Sequence, residues 1–135
     1  MKNIIVDTSV WIDFFNKKNV SPETIILKKL IENNKQFYIC PVIYQEVLQG
    51  IGDNNLFEKI KKILLKHNMV DIDIIEATNK AIDIYRTLRK KGITIRKSID
   101  CLIASYAIIG KMYLLHKDSD FTEIAKEFKL KILTG

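Results

Sequence analysis

Residues that hold disulfides and soft metal ions are scarce in this chain. It has two cysteines, two histidines and two prolines among 135 residues. Cys40 and Cys101 lie in apolar surroundings without CxxC spacing, so we interpret them as reduced core thiols of an intracellular protein. His67 and His116 are too few and too far apart in the sequence for a histidine metal site. A disulfide scaffold and a zinc site are therefore excluded.

Long hydrophobic runs and linkers are also lacking. No segment approaches the roughly 20 apolar residues of a membrane span, and the short apolar stretch from Cys101 to Ile109 is typical of a buried helix. At the amino terminus, Lys2 precedes a short apolar run that ends at Asp7, which does not match a signal peptide. We therefore expect one cytoplasmic domain over residues 1–135, with no membrane partner.

Apolar runs typical of strands alternate with segments of helical periodicity along the chain. The predicted strands are Asn3–Val6, Phe37–Cys40, Met69–Ile72, Met112–Leu115 and Leu130–Leu133. The predicted helices are Thr8–Phe15, a helix capped by Ser21, Pro41 to about Gly50, a helix beginning at Asp53, Ile75–Lys91, a helix from Ser98 to Gly110, and Asp120–Phe128. This alternation predicts an α/β fold, with a parallel sheet of about five strands covered by helices on both faces. Ligands of such folds gather at the carboxyl ends of the strands.

Four acidic residues stand where an apolar segment ends or where a helix faces inward. Asp7 and Asp118 follow the first and fourth predicted strands, and Asp100 opens an almost wholly apolar helix. Glu46 interrupts the apolar pattern of its own helix. Burial of carboxylates costs desolvation, and gathering them adds mutual repulsion. Because a chain tolerates this mainly when a cation or a chemical task offsets it, these acids are the candidates for a functional site.

Each acid also has a structural alternative. Asp7 suits the N-cap of the first helix, although Thr8 is able to cap that helix instead. A helix dipole would stabilise Asp100, but Ser98 is available as the cap there, so a further reason for the carboxylate is needed. Glu46 also fits a glutamate at the edge of the core.

The acids of the segment Asp118–Asp120 have different predicted roles. Asp120 followed by Glu123 has the form of a capping box, so we expect Asp120 to cap the last helix. Asp118 has no such structural role and ranks above Asp120 as a metal ligand. Asp120 remains a candidate for a water-mediated contact with the metal.

The basic residues are less decisive than the acids. A net charge of +6 suits a polyanionic substrate, and it equally suits a solvated, lysine-rich surface. Arg96 and Lys97 directly precede the start of the helix that carries Asp100, so they are candidates for contacts with phosphate groups. Trp11 is expected in the core or at a subunit contact rather than stacked on a base.

Four segments of the chain carry a family resemblance. They are Val6–Asp13, Gln45–Gly50, Ile99–Ala104 and Leu115–Phe121. In this order they resemble the four signature motifs of PIN-domain proteins, and more narrowly those of the VapC-type toxins of prokaryotic type II toxin–antitoxin pairs. The resemblance covers essentially the whole chain.

This resemblance implies a toxin that is an endoribonuclease dependent on Mg²⁺ or Mn²⁺. Thr8 or Ser9 matches a supporting hydroxyl, and Asp120 matches a further position that is frequently acidic. Glu46 would hold a second metal or orient water, while the aspartates would hold metal. The resemblance also implies a homodimer, an RNA substrate, and a small antitoxin protein that docks over the active site. By position, the acidic quartet of the family corresponds to Asp7, Glu46, Asp100 and Asp118.

The chemistry of these residues agrees with that expectation. Oxygen ligands without cysteine or histidine favour Mg²⁺ or Mn²⁺ over zinc. Without a histidine pair to activate the 2′-hydroxyl of the substrate, we expect water to attack and to leave 5′-phosphate and 3′-hydroxyl ends. Two alternatives remain. One is a non-catalytic RNA-binding module, and the other is an aspartate-based phosphoryl-transfer protein, which usually has a second Asp where this chain has Ser9.

Overall fold

Residues 2–17 and 20–134, which the computed structural model describes, form five strands connected by seven helices. The strands are β1 (Ile4–Val6), β2 (Tyr38–Ile39), β3 (Asn68–Met69), β4 (Tyr113–Leu115) and β5 (Lys131–Ile132). The helices are α1 (Thr8–Phe15), α2 (Pro22–Glu32), α3 (Pro41–Gln49), α4 (Asn54–Leu65), α5 (Ile74–Lys90), α6 (Ser98–Ile109) and α7 (Ser119–Glu127). Each predicted strand and helix is therefore present, with small shifts at its ends.

All the strands are parallel, in the order β3-β2-β1-β4-β5, which confirms the predicted α/β fold. The central strand β1 is buried along its whole length, as its continuous β-branched run predicts. Its Ile5 lies in register with Tyr38 of β2 and Leu114 of β4. Because β1 and β4 are adjacent and parallel, the residues that follow them lie at the same edge of the sheet. The backbone N–H of Asp7 donates to the carbonyl of Leu115 at 2.9 Å.

The core lies between the sheet and its covering helices, and α6 is buried over most of its length. Trp11 is fully buried and stacks on Phe15 with 5.7 Å between ring centroids, so it is a core residue. Cys40 and Cys101 are buried free thiols. Burial, with a smaller effect of the Asp100 charge, raises the pKa of Cys101 to about 11, which keeps this thiol protonated at neutral pH. Within the described residues, no helix has both the length and the apolar character needed to cross a bilayer.

Helix caps are where the structure departs from prediction. Asp7, not Thr8, caps α1, because its side chain accepts the backbone N–H of Ser9. Helix α6 already includes Ser98 as its first residue, and Lys97 occupies the N-cap position without a side-chain hydrogen bond. The predicted cap of α7 by Asp120 is also wrong, since Asp118 has that role.

Candidate active site

A cavity of about 360 Å³ at the carboxyl ends of β1 and β4 gathers the acids that the sequence singled out. Four parts of the fold supply them: the residues after β1 and β4, the first turn of α6, and the second turn of α3. Thr8, Ser9 and Lys97 line the same cavity. Its acidic lining comprises Asp7, Asp13, Glu46, Asp100 and Asp118.

Helix amino termini converge on this cavity and explain how the chain tolerates the gathered charge. Asp7 and Asp118 are the N-caps of α1 and α7, and Asp100 lies in the first turn of α6. The partial positive charge at a helix amino terminus stabilises a nearby carboxylate by about 0.3–1 kcal/mol. These dipoles offset part of the cost of gathering the acids but do not supply a counter-ion.

The surroundings of Asp100 disfavour the charged form of its carboxylate. It is 5% exposed, and its Oδ2 has no hydrogen-bond partner among the residues that the structure describes. Burial, followed by the charges of Asp7 and Asp118, raises the pKa of Asp100 to about 7. A buried carboxylate oxygen without a donor is expected to bind a cation or a proton. Asp100 therefore fits a metal ligand.

Thr8 and Ser9 each hold one acid of the cavity in place. The hydroxyl of Ser9 donates to Oδ2 of Asp7 at 2.6 Å. The hydroxyl of Thr8 donates to Oε1 of Glu46 at 2.7 Å, which joins α1 to α3. Burial raises the pKa of Asp7, while the hydrogen bonds from Ser9 oppose this effect. Both predicted hydroxyls therefore contact an acid of the quartet.

The structure gives Asp118 the helix-capping role that the sequence analysis predicted for Asp120. Asp118 has the extended backbone that an N-cap requires, and its Oδ1 accepts the backbone N–H of Asp120 at 2.9 Å. Asp120 already lies inside the helix, and its Oδ2 accepts the backbone N–H of Arg96 at 3.2 Å. Asp100, Asp118 and Asp120 each offer a carboxylate oxygen within 4.8 Å of the others. Asp120 is thus as well placed as Asp118 to share a cation.

The two predicted basic residues lie beside these acids. Lys97 lines the cavity. Arg96 places Nη2 3.8 Å from Oδ1 of Asp118 and Nε 3.9 Å from Oδ2 of Asp120. Its side chain is 75% exposed, so the guanidinium borders both the acids and the solvent.

Asp13 and Gln49 line the cavity, although the sequence reasoning missed them. Asp13 forms an ion pair with Lys117, which links α1 to the residues that follow β4. Helical spacing is the sequence feature from which the positions of Asp13 and Gln49 could have been predicted. Asp13 stands four residues after Ser9, and Gln49 stands three residues after Glu46, so each shares a helix face with a residue of the site.

The family model described as the PIN domain matches residues 4–127 of this chain. The chain belongs to the PIN-domain family. The resemblance to VapC-type PIN domains is confirmed by similar proteins. Ribonuclease VapC11 of Mycobacterium tuberculosis is 30% identical over 91% of this chain and 92% of its own length. Ribonuclease VapC1 of Methanocaldococcus jannaschii is 33% identical over 96% of this chain and 85% of its own length.

Solved structures show the same PIN fold. The crystal structure of VapBC2 from Rickettsia felis bound to a promoter DNA fragment matches with a TM-score of 0.72 and 19% identity, covering 96% of each chain. FitAcB from Neisseria gonorrhoeae matches with a TM-score of 0.73 and 15% identity, covering 97% of this chain and 96% of that one. At these identities the likeness shows the fold alone.

Proposed function

We propose that this PIN domain is a metal-dependent endoribonuclease that acts as the toxin of a toxin–antitoxin pair in the cytoplasm. The observation that carries the proposal is the convergence of the acids on one cavity, where Oδ2 of Asp100 has no partner among the described residues. The names of the VapC relatives support the ribonuclease activity. Phosphodiester hydrolysis is the reaction that this set of oxygen ligands suits best.

The donor set fits Mg²⁺ or Mn²⁺ because it consists of carboxylates near hydroxyl groups. Asp7, Asp100 and Asp118 would hold the ion, and the closeness of Asp120 to the last two adds a fourth candidate ligand. When bound, the ion would lower the pKa of water and offset the charge of the scissile phosphate.

The other side chains would orient the reactants. Glu46, whose Oε1 accepts a hydrogen bond from Thr8, would orient the attacking water and accept its proton, or would hold a second ion. Lys97 in the cavity and Arg96 at its rim would bind RNA phosphates. Attack by water would leave 5′-phosphate and 3′-hydroxyl ends.

The test is incubation of the purified, antitoxin-free protein with total RNA, with Mg²⁺ or Mn²⁺ or with EDTA. We expect new 5′-phosphate ends, mapped by sequencing, only when metal is present. Cleavage that continues undiminished in EDTA would rule out the metal mechanism. RNA that is bound but left intact in every condition would favour the non-catalytic alternative.

A groove between α1, α2 and α4 supports the antitoxin part of the proposal. Its volume is about 650 Å³, and its lining includes the exposed apolar side chains of Val20, Ile25 and Leu56. Asp13 borders both this groove and the acidic cavity, so the two are adjacent. The groove also has a basic lining of Lys17, Lys28 and Lys59. We propose that an acidic, amphipathic segment of the antitoxin lies in this groove, next to the cavity.

Binding of the antitoxin is testable with substitutions on α4. Leu56→Glu places a charge in the groove, whereas Leu65→Glu changes an exposed leucine of the same helix that does not line it. We expect Leu56→Glu, and not Leu65→Glu, to abolish co-purification with the co-expressed antitoxin. Equal co-purification of both variants would place the antitoxin elsewhere.

A second apolar face supports the homodimer. Ile75 and Ile82 of α5 are 62% and 50% exposed, and Ile82 borders a cavity of about 370 Å³ with Ile99 and Leu102 of α6. We propose that a second copy of this chain covers this face, next to the start of α6 at the active site. Light scattering of Ile82→Glu should then report a monomer. If this variant has the same mass as the wild type, the dimer uses another face.

A further inference from the structure

The guanidinium of Arg96 lies beside two carboxylates that a metal ion would use. It is 3.8 Å from Oδ1 of Asp118 and 3.9 Å from Oδ2 of Asp120. The backbone N–H of Arg96 donates separately to Asp120 at 3.2 Å. The backbone therefore ties the segment before α6 to Asp120 by a hydrogen bond, whereas the side-chain contacts with the two acids are long ion pairs.

The contacts of the Arg96 guanidinium with Asp118 and Asp120 are weak enough for another cation to replace it. Charge-assisted hydrogen bonds have lengths of about 2.7–2.9 Å, and the contacts of Arg96 are longer. The Arg96 side chain is 75% exposed, so water and salt screen its attraction to the acids. Asp120, in contrast, is 8% exposed, and Oδ2 of Asp100 has no partner among the described residues. The acids are therefore largely buried, whereas the cation beside them is exposed and makes only long contacts with them.

A divalent ion among these acids would compete with the guanidinium. Both cations would draw on the carboxylates of Asp118 and Asp120, and their like charges would repel each other. The planar fork of arginine also matches a phosphate group. Release from the acids would make this fork available at the rim of the cavity.

We propose that Arg96 is an exchangeable cation with two alternative partners, the Asp118–Asp120 pair without metal and an RNA phosphate with metal bound. This inference rests on the proposed function. It makes the binding of metal and RNA mutually cooperative, since metal releases Arg96 for RNA and RNA removes a competitor of the metal. Arg96 would thereby lower the affinity for metal in the absence of RNA and raise the affinity for RNA in the presence of metal.

Metal binding tests the competition without any cleavage assay. In titration calorimetry without RNA, Arg96→Ala should bind Mn²⁺ about 3- to 10-fold more tightly than the wild type. The variant retains the backbone N–H that holds Asp120. Arg89→Ala, which removes the same charge from an exposed position of α5, should leave Mn²⁺ affinity unchanged. Unchanged or weaker Mn²⁺ binding by Arg96→Ala would overturn the proposal.

Cooperativity is tested by RNA binding in a Glu46→Gln background, which is expected to suppress cleavage. The affinity for a fluorescein-labelled RNA oligomer is measured by anisotropy in EDTA and in Mn²⁺. We expect Mn²⁺ to increase RNA affinity, and Arg96→Ala to reduce this increase about 3-fold or more. An equal increase with and without Arg96 would contradict the exchange. If the protein fails to cleave RNA, the calorimetric test of Arg96 remains valid. Failure of the proposed ribonuclease function is therefore distinguishable from failure of the Arg96 exchange.

Discussion

Asp118 caps α7 by accepting the backbone N–H of Asp120 at 2.9 Å. The same oxygen, Oδ1, lies 3.8 Å from Nη2 of Arg96 at the rim of the acidic cavity. One carboxylate therefore stabilises a helix and also contributes to the candidate metal site. A substitution that retains the cap and removes the charge separates these two roles.

We predict that Asp118→Asn is inactive but as stable as the wild type, since asparagine caps a helix about as well as aspartate. Asp118→Ala should be inactive and also less stable by about 0.5–2 kcal/mol. Cleavage assays and urea denaturation measure the two effects. The matched control is Asp53→Ala, which removes the cap of α4 away from the cavity and should lose stability without losing activity. An active Asp118→Asn would remove this residue from the ligand set.

Asp120 should affect metal affinity rather than the stability of α7. Its carboxylate accepts the N–H of Arg96 and lies near those of Asp100 and Asp118. The amide oxygen of Asn is able to accept the same N–H, so Asp120→Asn should fold normally. We expect it to need a higher Mn²⁺ concentration for half-maximal cleavage and to regain activity at saturating metal. If half-maximal cleavage needs the wild-type Mn²⁺ concentration, Asp120 takes no part in metal binding.

The sequence predicted the fold better than the caps because the two depend on different lengths of chain. The parallel sheet follows from many residues at once, such as the continuous apolar run of β1, and small errors at the ends of strands do not alter it. A cap depends on the backbone conformation of one residue. Asp7, Thr8 and Ser9 all have side chains that cap helices, so their order along the chain did not identify the cap.

The acids of the site were predictable because each one conflicts with its apolar surroundings. The contacts of Arg96 with Asp118 and Asp120 were not predictable. They join positions more than 20 residues apart, and they depend on how the segment before α6 docks against α7. No local spacing rule encodes that docking.

Asp100 should make the metal-free protein less stable as the pH rises. The folded pKa of about 7 exceeds the unfolded value of about 3.9, so the folded state binds the proton more tightly. The contribution of Asp100 to the free energy of unfolding is therefore fully present below about pH 4. It is lost as the pH rises through about 7.

The measurement is urea denaturation in EDTA at pH 5 and pH 8. Wild-type protein should lose stability between these values, and Asp100→Asn should lose much less. Mn²⁺ should restore stability to the wild type at pH 8 and have little effect on the variant. A variant that is markedly less stable than the wild type in EDTA at pH 8 would make Asp100 a structural anchor rather than a metal ligand.

The Thr8 hydroxyl should matter for the chemical step and not for RNA binding. Thr8→Val keeps the shape of the side chain but removes the 2.7 Å hydrogen bond to Glu46. Loss of an orienting contact of this kind reduces activity on the order of 10-fold or more. We expect kcat to fall by that factor with unchanged RNA affinity, and Thr8→Ser to retain most activity. Equal kcat for Thr8→Val and the wild type would show that Glu46 needs no orientation by Thr8.

Lys97 lines the acidic cavity, so its ammonium should contact RNA phosphate at the site itself. Each lost phosphate contact reduces the release of counter-ions when RNA binds. Lys97→Ala should therefore weaken RNA binding and reduce the slope of log affinity against log salt by about 1. Lys90→Ala, at an exposed position of α5, is the charge-matched control and should leave the RNA affinity and its salt dependence unchanged. If the two variants behave alike, the contribution of Lys97 is only that of net charge, and its place in the cavity has no role in holding RNA.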